Sequence, residues 1–229
     1  MSSEISFAPA PARGSPAPIP LFVLAGAQGS GKTAAINRWL RLPGFARTLV
    51  VLQQDGASSL GHHLVAHCAD GILRRGFGCV CCGPQADLPR TLRDLPWRFA
   101  REGQRLFDRV LIEAAGDADP QSVAGVLQAY PRLARQYRLA GVACVLGQPA
   151  LEALDEPDTM IWRQAAASGL LLLPRLADIG AARYATLMTR LKALPAADKR
   201  EMLPADAEMR EPALHAFFEL ETPLDRSFA

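Results

Sequence analysis

The segment that most restricts the fold of this chain is IPLFVLAGAQGSGKTAAINRWLRL, in which an apolar run, a glycine-rich turn and a helix-spaced pattern follow one another directly. The apolar run has the character of a buried strand, while Ile36, Trp39 and Leu40 recur as one face of a helix would. Between them GAQGSGKT, Gly26 to Thr33, satisfies G-x-x-x-x-G-K-[ST] in the strand–turn–helix setting that the motif's chemistry requires. Glycines let successive backbone N–H groups turn toward a phosphate, and the following helix adds the positive end of its dipole. The residues expected around nucleotide phosphates are therefore Gly26, Ala27, Gln28, Gly29, Ser30, Gly31, Lys32 and Thr33. Of these, Lys32 reaches the outer phosphates and the Thr33 hydroxyl offers itself to magnesium. At average residue frequencies, a chance match in a chain of this length is on the order of 1%.

Downstream, RTLVVLQ, DRVLIEAAG, GVACVLG and GLLLLPRL read as further buried strands. LPRTLRDLPWRFA reads as a broken helix, and PQSVAGVLQAYPRLARQYRLA as mostly helical, started, kinked or split by Pro131. DTMIWRQAAAS and IGAARYATLMTRLKAL supply two more helices. Strands alternating with helices imply an α/β fold. With the phosphate loop, the expectation is a P-loop NTPase three-layer sandwich with a largely parallel central sheet. Residues 1–19, rich in Pro and Ala, are expected to be a disordered tail. Residues 20–195 form the nucleotide-binding domain, and 196–229 a short C-terminal extension in which the pattern weakens, with room for a short helix in PADAEMREPALHAFFEL.

A magnesium site beside such a loop calls for an acid at the end of a neighbouring strand. Glu113, in FDRVLIEAAGDADP, occupies that place and joins Lys32 as a candidate catalytic residue, with Gly116 allowing close backbone approach near the terminal phosphate. Asp108 precedes the same apolar run and is expected at the opposite end of the strand.

RRGFGCVCCGPQ gathers Cys79, Cys81 and Cys82 in a chain with five cysteines in all. The formal charge is only +2 and the basic residues form no run, which argues against a nucleic-acid partner. No leader pattern opens the chain and no apolar run approaches the roughly 20 residues of a membrane span, so the expected compartment is the cytoplasm, with no membrane partner. Reducing conditions there make metal or redox chemistry the first reading of clustered thiols. The neighbouring glycines at 76, 78 and 83 argue for a turn in which all three sulfurs converge. Thiolates so arranged suit zinc, which takes four ligands, or copper(I). A fourth ligand would come from Cys68, His62, His63, His67, a water or a partner protein. The plainer alternatives are that Cys79 or Cys82 fills core space and that the histidines form a solvated helix face.

Taken in order, the phosphate loop, GCVCC and LIEAAGDADP resemble the CobW family of P-loop GTPases, relatives of UreG and HypB. In that family G-C-x-C-C lies between the phosphate loop and a strand ending in I-E-x-x-G-x-x-x-P, which Ile112, Glu113, Gly116 and Pro120 match. The resemblance covers roughly residues 20–195. It implies a metallochaperone: GTP binding and hydrolysis coupled to holding and transferring zinc or another thiophilic metal through the CxCC thiolates, with magnesium, a client metalloprotein and a homodimer as further expectations. The family's N-K-x-D is replaced here by LLLPRLADIG, in which Asp178 is the available acid, displaced by one position. ATP therefore stands beside GTP as a candidate. The family's N-E-x-G is replaced by QQDGASSLG, in which Asp55 is out of register. That leaves open a module that binds nucleotide and metal without hydrolysis. The family's separate C-terminal domain is expected to be absent or reduced to a remnant.

Overall fold

Side chains alternate across a strand, so an apolar run with no polar break is stable only where both of its faces are covered. IPLFVLA is such a run. In the computed structural model, which describes residues 17–53, 63–69, 72–79, 88–153, 156, 159–173, 176–195, 201–204 and 212–219, it forms β1 (Ile19–Ala25) near the middle of an eight-stranded sheet. Ile19 and Pro20 thus belong to the strand, and Ile19 is buried. For 53, 63–69, 72–79, 176–177, 204 and 212 the description is of the backbone.

After β1 come α1 (Lys32–Trp39), β2 (Thr48–Gln53), β3 (His63–Ala69), β4 (Ile72–Cys79) and α2 (Leu88–Arg98). A small hairpin of β5 (Ala100–Arg101) and β6 (Gln104–Arg105) precedes β7 (Arg109–Glu113). Then follow α3 (Gln121–Ala129), α4 (Pro131–Gln136), β8 (Tyr137–Val145), α5 (Gln148–Glu152), α6 (Met160–Ala166) and β9 (Leu170–Leu173). The described chain ends with α7 (Leu176–Ile179), α8 (Ala181–Lys192), β10 (Glu201–Pro204) and α9 (Pro212–Phe217). The main sheet runs β10-β9-β8-β1-β7-β2-β3-β4. Every pairing from β10 to β2 is parallel, and only β3 and β4 run antiparallel to their neighbours. The expected α/β sandwich with a largely parallel sheet is the observed one.

Two faces carry the core. Phe22 and Leu24 of β1 pack toward Ile36 and Trp39 of α1, together with Leu214 and Phe218. Leu21 and Val23 point the other way, toward Leu92 of α2, Val123 of α3 and Leu133 of α4. On that same side Cys144, Leu171 and Leu173 are covered by Trp162 of α6 and by Leu187 and Leu191 of α8.

Four readings change. LPRTLRDLPWR is one helix with Pro96 inside it. Proline cannot donate to the carbonyl four residues back, and here the Leu92 carbonyl accepts the buried Tyr137 hydroxyl at 2.7 Å instead. Pro131 splits the next helical stretch in two, one of its expected effects, but the tail YRLA, expected to be helical, joins β8, where Tyr137 pairs with Ile19. The histidine segment is strand β3, not a helix face, and Gly76 and Gly78 lie within β4 rather than in a turn. Past residue 195 the pattern weakens, yet β10 extends the sheet and α9 places Phe217 and Phe218 against Phe22.

Candidate nucleotide-binding site

Strands β1 and β7 end side by side with Leu24 opposite Glu113, so the turn leaving one and the carboxylate closing the other open on the same sheet edge. Ligands of open α/β sheets collect at that edge, beyond the carboxyl ends of the strands. In the turn, Gly26, Gly29 and Gly31 adopt φ of 138°, 76° and 100°, a region that side-chain-bearing residues rarely enter. Gly31 is the N-cap of α1 and offers no capping side chain, so the first amides of that helix are left for an anion.

Lys32 is 7% exposed, and its ammonium donates to the Gly26 carbonyl at 2.6 Å and the Ala27 carbonyl at 3.1 Å. The loop's own dipoles thus hold the cation inside the ring that the backbone describes. One position on, the Thr33 hydroxyl donates to Glu113 Oε1 at 2.8 Å. A hydroxyl and a carboxylate are hard oxygen donors, which suit magnesium, an ion that takes few protein ligands and keeps several waters. The cleft they border measures about 320 Å³ and is lined by the loop from Gln28 to Ala34 with Glu113 and Ala114. Asp108 stands at the other end of β7, exposed, in a two-point ion pair with Arg47.

The loop is gripped by backbone on both sides. A Cβ at Gly116 would lie 2.5 Å from the Gln28 nitrogen, and one at Gly147 would lie 2.4 Å from the Ser30 carbonyl oxygen. A Cβ at Gly26 would meet the Val145 carbonyl at 2.7 Å. Gly116 was legible in the sequence; Gly147 was not, since its role depends on β8 lying beside β1. Gln164 was missed as well. It is fully buried, and its amide donates to the Gly116 carbonyl at 3.1 Å and the Ala118 carbonyl at 2.9 Å, tying α6 to the loop that follows Glu113. The available signal was an amide between Trp162 and Ala165 on an otherwise apolar helix face.

Cys144, on the strand beside β1, is fully buried. Burial pushes its thiol up to about 12, with the Lys32 ammonium acting in the opposite direction. It is a packing residue, held neutral.

The loop residues from Gln28 to Thr33 and Glu113 therefore meet around one cleft, while Gly26 and Ala27 hold the Lys32 ammonium through their carbonyls and Gly116 backs the loop at Gln28. Asp178 lies exposed in α7, beyond β9, and is not part of the phosphate cleft. Cys79 ends β4, whereas Cys81, Cys82, Asp55 and His62 lie outside the described residues. The backbone of His63, His67 and Cys68 runs in β3. Across the sheet, Glu113 pairs with Leu52, Leu52 with Leu64, and Leu64 with Cys79. At about 4.8 Å per strand, this row sets the Cys79 and Glu113 backbones about 14 Å apart.

Residues 20–200 match the family described as CobW/HypB/UreG, nucleotide-binding domain. Among curated proteins, the chain is 30% identical over 129 residues to the zinc chaperone YjiA of Escherichia coli (strain K12), covering 56% of this chain and 40% of that protein. It is 26% identical over 148 residues to the zinc chaperone CobW of a Sinorhizobium species, covering 62% of this chain and again 40% of the relative. The match thus spans less than half the length of these relatives. Among solved structures, the Zn(II)-bound YjiA GTPase from E. coli superposes with a TM-score of 0.52 at 23% identity, covering 75% of this chain and 54% of the other, which is a likeness of fold.

Proposed function

Because this chain belongs to the CobW/HypB/UreG family of nucleotide-binding domains, we propose that it binds a nucleoside triphosphate, GTP foremost, with magnesium, and couples hydrolysis to the binding and transfer of zinc or another thiophilic metal through Cys79, Cys81 and Cys82. The loop amides and Lys32 hold the phosphates, and Thr33 and Glu113 hold the magnesium. Bound there, magnesium would neutralise charge on the phosphate oxygens. Gly116, tight against the loop, and Asp178 are the proposed contacts to the terminal phosphate and to the base. The carrying observation is the sheet row from Glu113 to Cys79, which sets these two residues at the same end of the sheet. The zinc chaperones it resembles support the choice of metal. A cytoplasmic site of action and a client metalloprotein belong to the same reading.

The test is a titration of the purified chain with GTP and with ATP in magnesium, with and without one equivalent of zinc. Lys32→Ala serves as the phosphate-site control, and a variant with serine at 79, 81 and 82 as the metal control. Selective GTP binding whose affinity moves with zinc supports a coupled pair of sites. Binding without base preference, unmoved by zinc, removes the coupling. A second reading, a nucleotide- and metal-binding regulatory module without turnover, is favoured by Pro174 and Arg175 where the family has Asn and Lys. Phosphate release measured against Lys32→Ala separates the two.

A further inference from the structure

On the face of the sheet opposite α1, helices α2, α3 and α4 leave between them a groove of about 990 Å³. Its walls include Arg90, Arg93 and Trp97 from α2 and Tyr130, Arg132 and Gln136 from the α3–α4 side. Trp97 is 85% exposed and Tyr130 47%, two of the three large apolar side chains open to solvent among the described residues. An indole and a phenol left in water beside a concave surface are the side chains that most often anchor protein partners, and arginine is the charged residue that most often accompanies them.

The charge of this face is as uneven as its apolar surface. Residues 88–98 and 121–136 carry Arg90, Arg93, Arg98, Arg132 and Arg135 against one carboxylate, Asp94. That carboxylate is engaged by Arg93 at 2.9 Å. The whole chain has a net charge of only +2, and these helices carry a local excess of positive charge. The surface is therefore complementary to an acidic partner, and its aromatic pair calls for apolar residues among the acids.

The geometry points to the groove between α2 and the α3–α4 turn as a docking site for an acidic segment of a partner protein, in which carboxylates meet the arginines and apolar side chains pack on Trp97 and Tyr130. The placement gives the groove a use. Helix α2 begins at Leu88, six residues after Cys82 in the sequence, so one wall of the groove follows the thiol-bearing segment directly along the chain. Docking there would bring an acidic client to the metal without touching the nucleotide cleft. The inference rests on exposed surface and charge, and it survives whether or not the chain hydrolyses nucleotide.

The test uses the full chain and its own fluorescence. Of the three tryptophans, Trp39 and Trp162 are buried, so the accessible emission is that of Trp97. The probes are a short synthetic peptide alternating Glu and Asp with Leu and Phe, the same peptide with Lys in place of the acids, and a single-stranded oligouridylate of similar length. The expected result is a blue shift of Trp97 emission with the acidic peptide alone, weakened by salt. By fluorescence anisotropy of a labelled peptide, the affinity should drop about tenfold or more in Trp97→Ala and in the double reversal Arg93→Glu, Arg132→Glu. Thermal melting and nucleotide binding of both variants should match the parent. Absence of acidic-peptide binding, equal binding of the Lys peptide, or loss in neither variant overturns the proposal. Tighter binding of the oligouridylate assigns the face to RNA and overturns it too. If the parent chain binds the acidic peptide but no nucleotide, the reading of the phosphate site has failed and this one stands.

Discussion

Thr33 Oγ1 and Glu113 Oε1 stand 2.8 Å apart although 80 positions separate them in the chain. That contact joins the end of the phosphate loop to the end of β7, at the point proposed above for magnesium. Glu113→Gln keeps an acceptor for the hydroxyl and removes the charge. The variant should melt close to the parent, since a partly exposed hydrogen bond contributes only about 1 kcal/mol. Its nucleotide affinity, in contrast, should no longer rise with magnesium. Calorimetric titration in magnesium and in EDTA checks both, and an unchanged magnesium effect would remove Glu113 from the site.

The glycines around the loop divide by what surrounds them. An alanine Cβ at Gly147 or Gly116 would run into loop backbone at 2.4 and 2.5 Å. Gly147→Ala and Gly116→Ala should therefore displace the loop, weakening nucleotide binding about tenfold or more at the cost of about 1–3 kcal/mol in stability. Gly125, inside α3, has open space around its Cα. Gly125→Ala should raise stability by about 0.5–1 kcal/mol and leave binding alone. Chemical denaturation of the three variants makes the comparison.

How much of this could be read beforehand follows from where the information lies. The loop, Glu113 and Gly116 were legible because the phosphate chemistry fixes residue types at short, contiguous spacings. Gly147 and Gln164 were not, because each acts through backbone groups remote in sequence: the Ser30 carbonyl for one, the Gly116 and Ala118 carbonyls for the other. Strands β1, β2, β7 and β9 announced themselves as apolar runs. Strands β3 and β4 did not, since HLVAHCA and ILRRGFGC mix polar and apolar residues with glycine in the manner of a sheet edge. Pro96 misled for a physical reason: the carbonyl it orphans is satisfied by Tyr137, from a strand that sequence reading had assigned to helix.

Gln164 buries an amide that holds two carbonyls of the loop that follows Glu113, while its own Oε1 has no hydrogen-bond partner among the described residues. Gln164→Leu removes the two donated bonds and an unsatisfied oxygen together. The net loss of stability should thus be small, about 1–2 kcal/mol. The local effect should be larger. Hydrogen exchange at residues 114–119 should speed up relative to the rest of the sheet, and unchanged exchange there would mean that Gln164 does not hold the loop.

The pH dependence has a definite sign. Folding raises Cys144 from its ordinary 9.0 to about 12, chiefly by burial. Tyr137 is also raised, again chiefly by burial, with Arg105 opposing. Both groups are acids kept neutral in the fold. Above about pH 9 the unfolded chain ionises first and binds fewer protons than the native state, so stability falls as pH rises. Denaturation midpoints should be insensitive to these two groups below pH 8 and decline between pH 9 and 12. In Cys144→Ala the part of that decline that begins near pH 9 should be absent.

The aromatic cluster beside α1 draws Phe22, Trp39 and Phe45 from one end of the described chain and Phe217 and Phe218 from the other. Gly141, on the strand between, leaves room for the Phe217 ring, which a Cβ there would strike at 2.7 Å. Synthesis is vectorial. At roughly 5–20 residues per second, the strand and helix that frame the phosphate loop leave the ribosome about ten seconds or more before the helix that completes their core. During that interval a large apolar face is open to water, to chaperones and to neighbouring nascent chains. The core around the phosphate loop is thus closed only once α9 has been made.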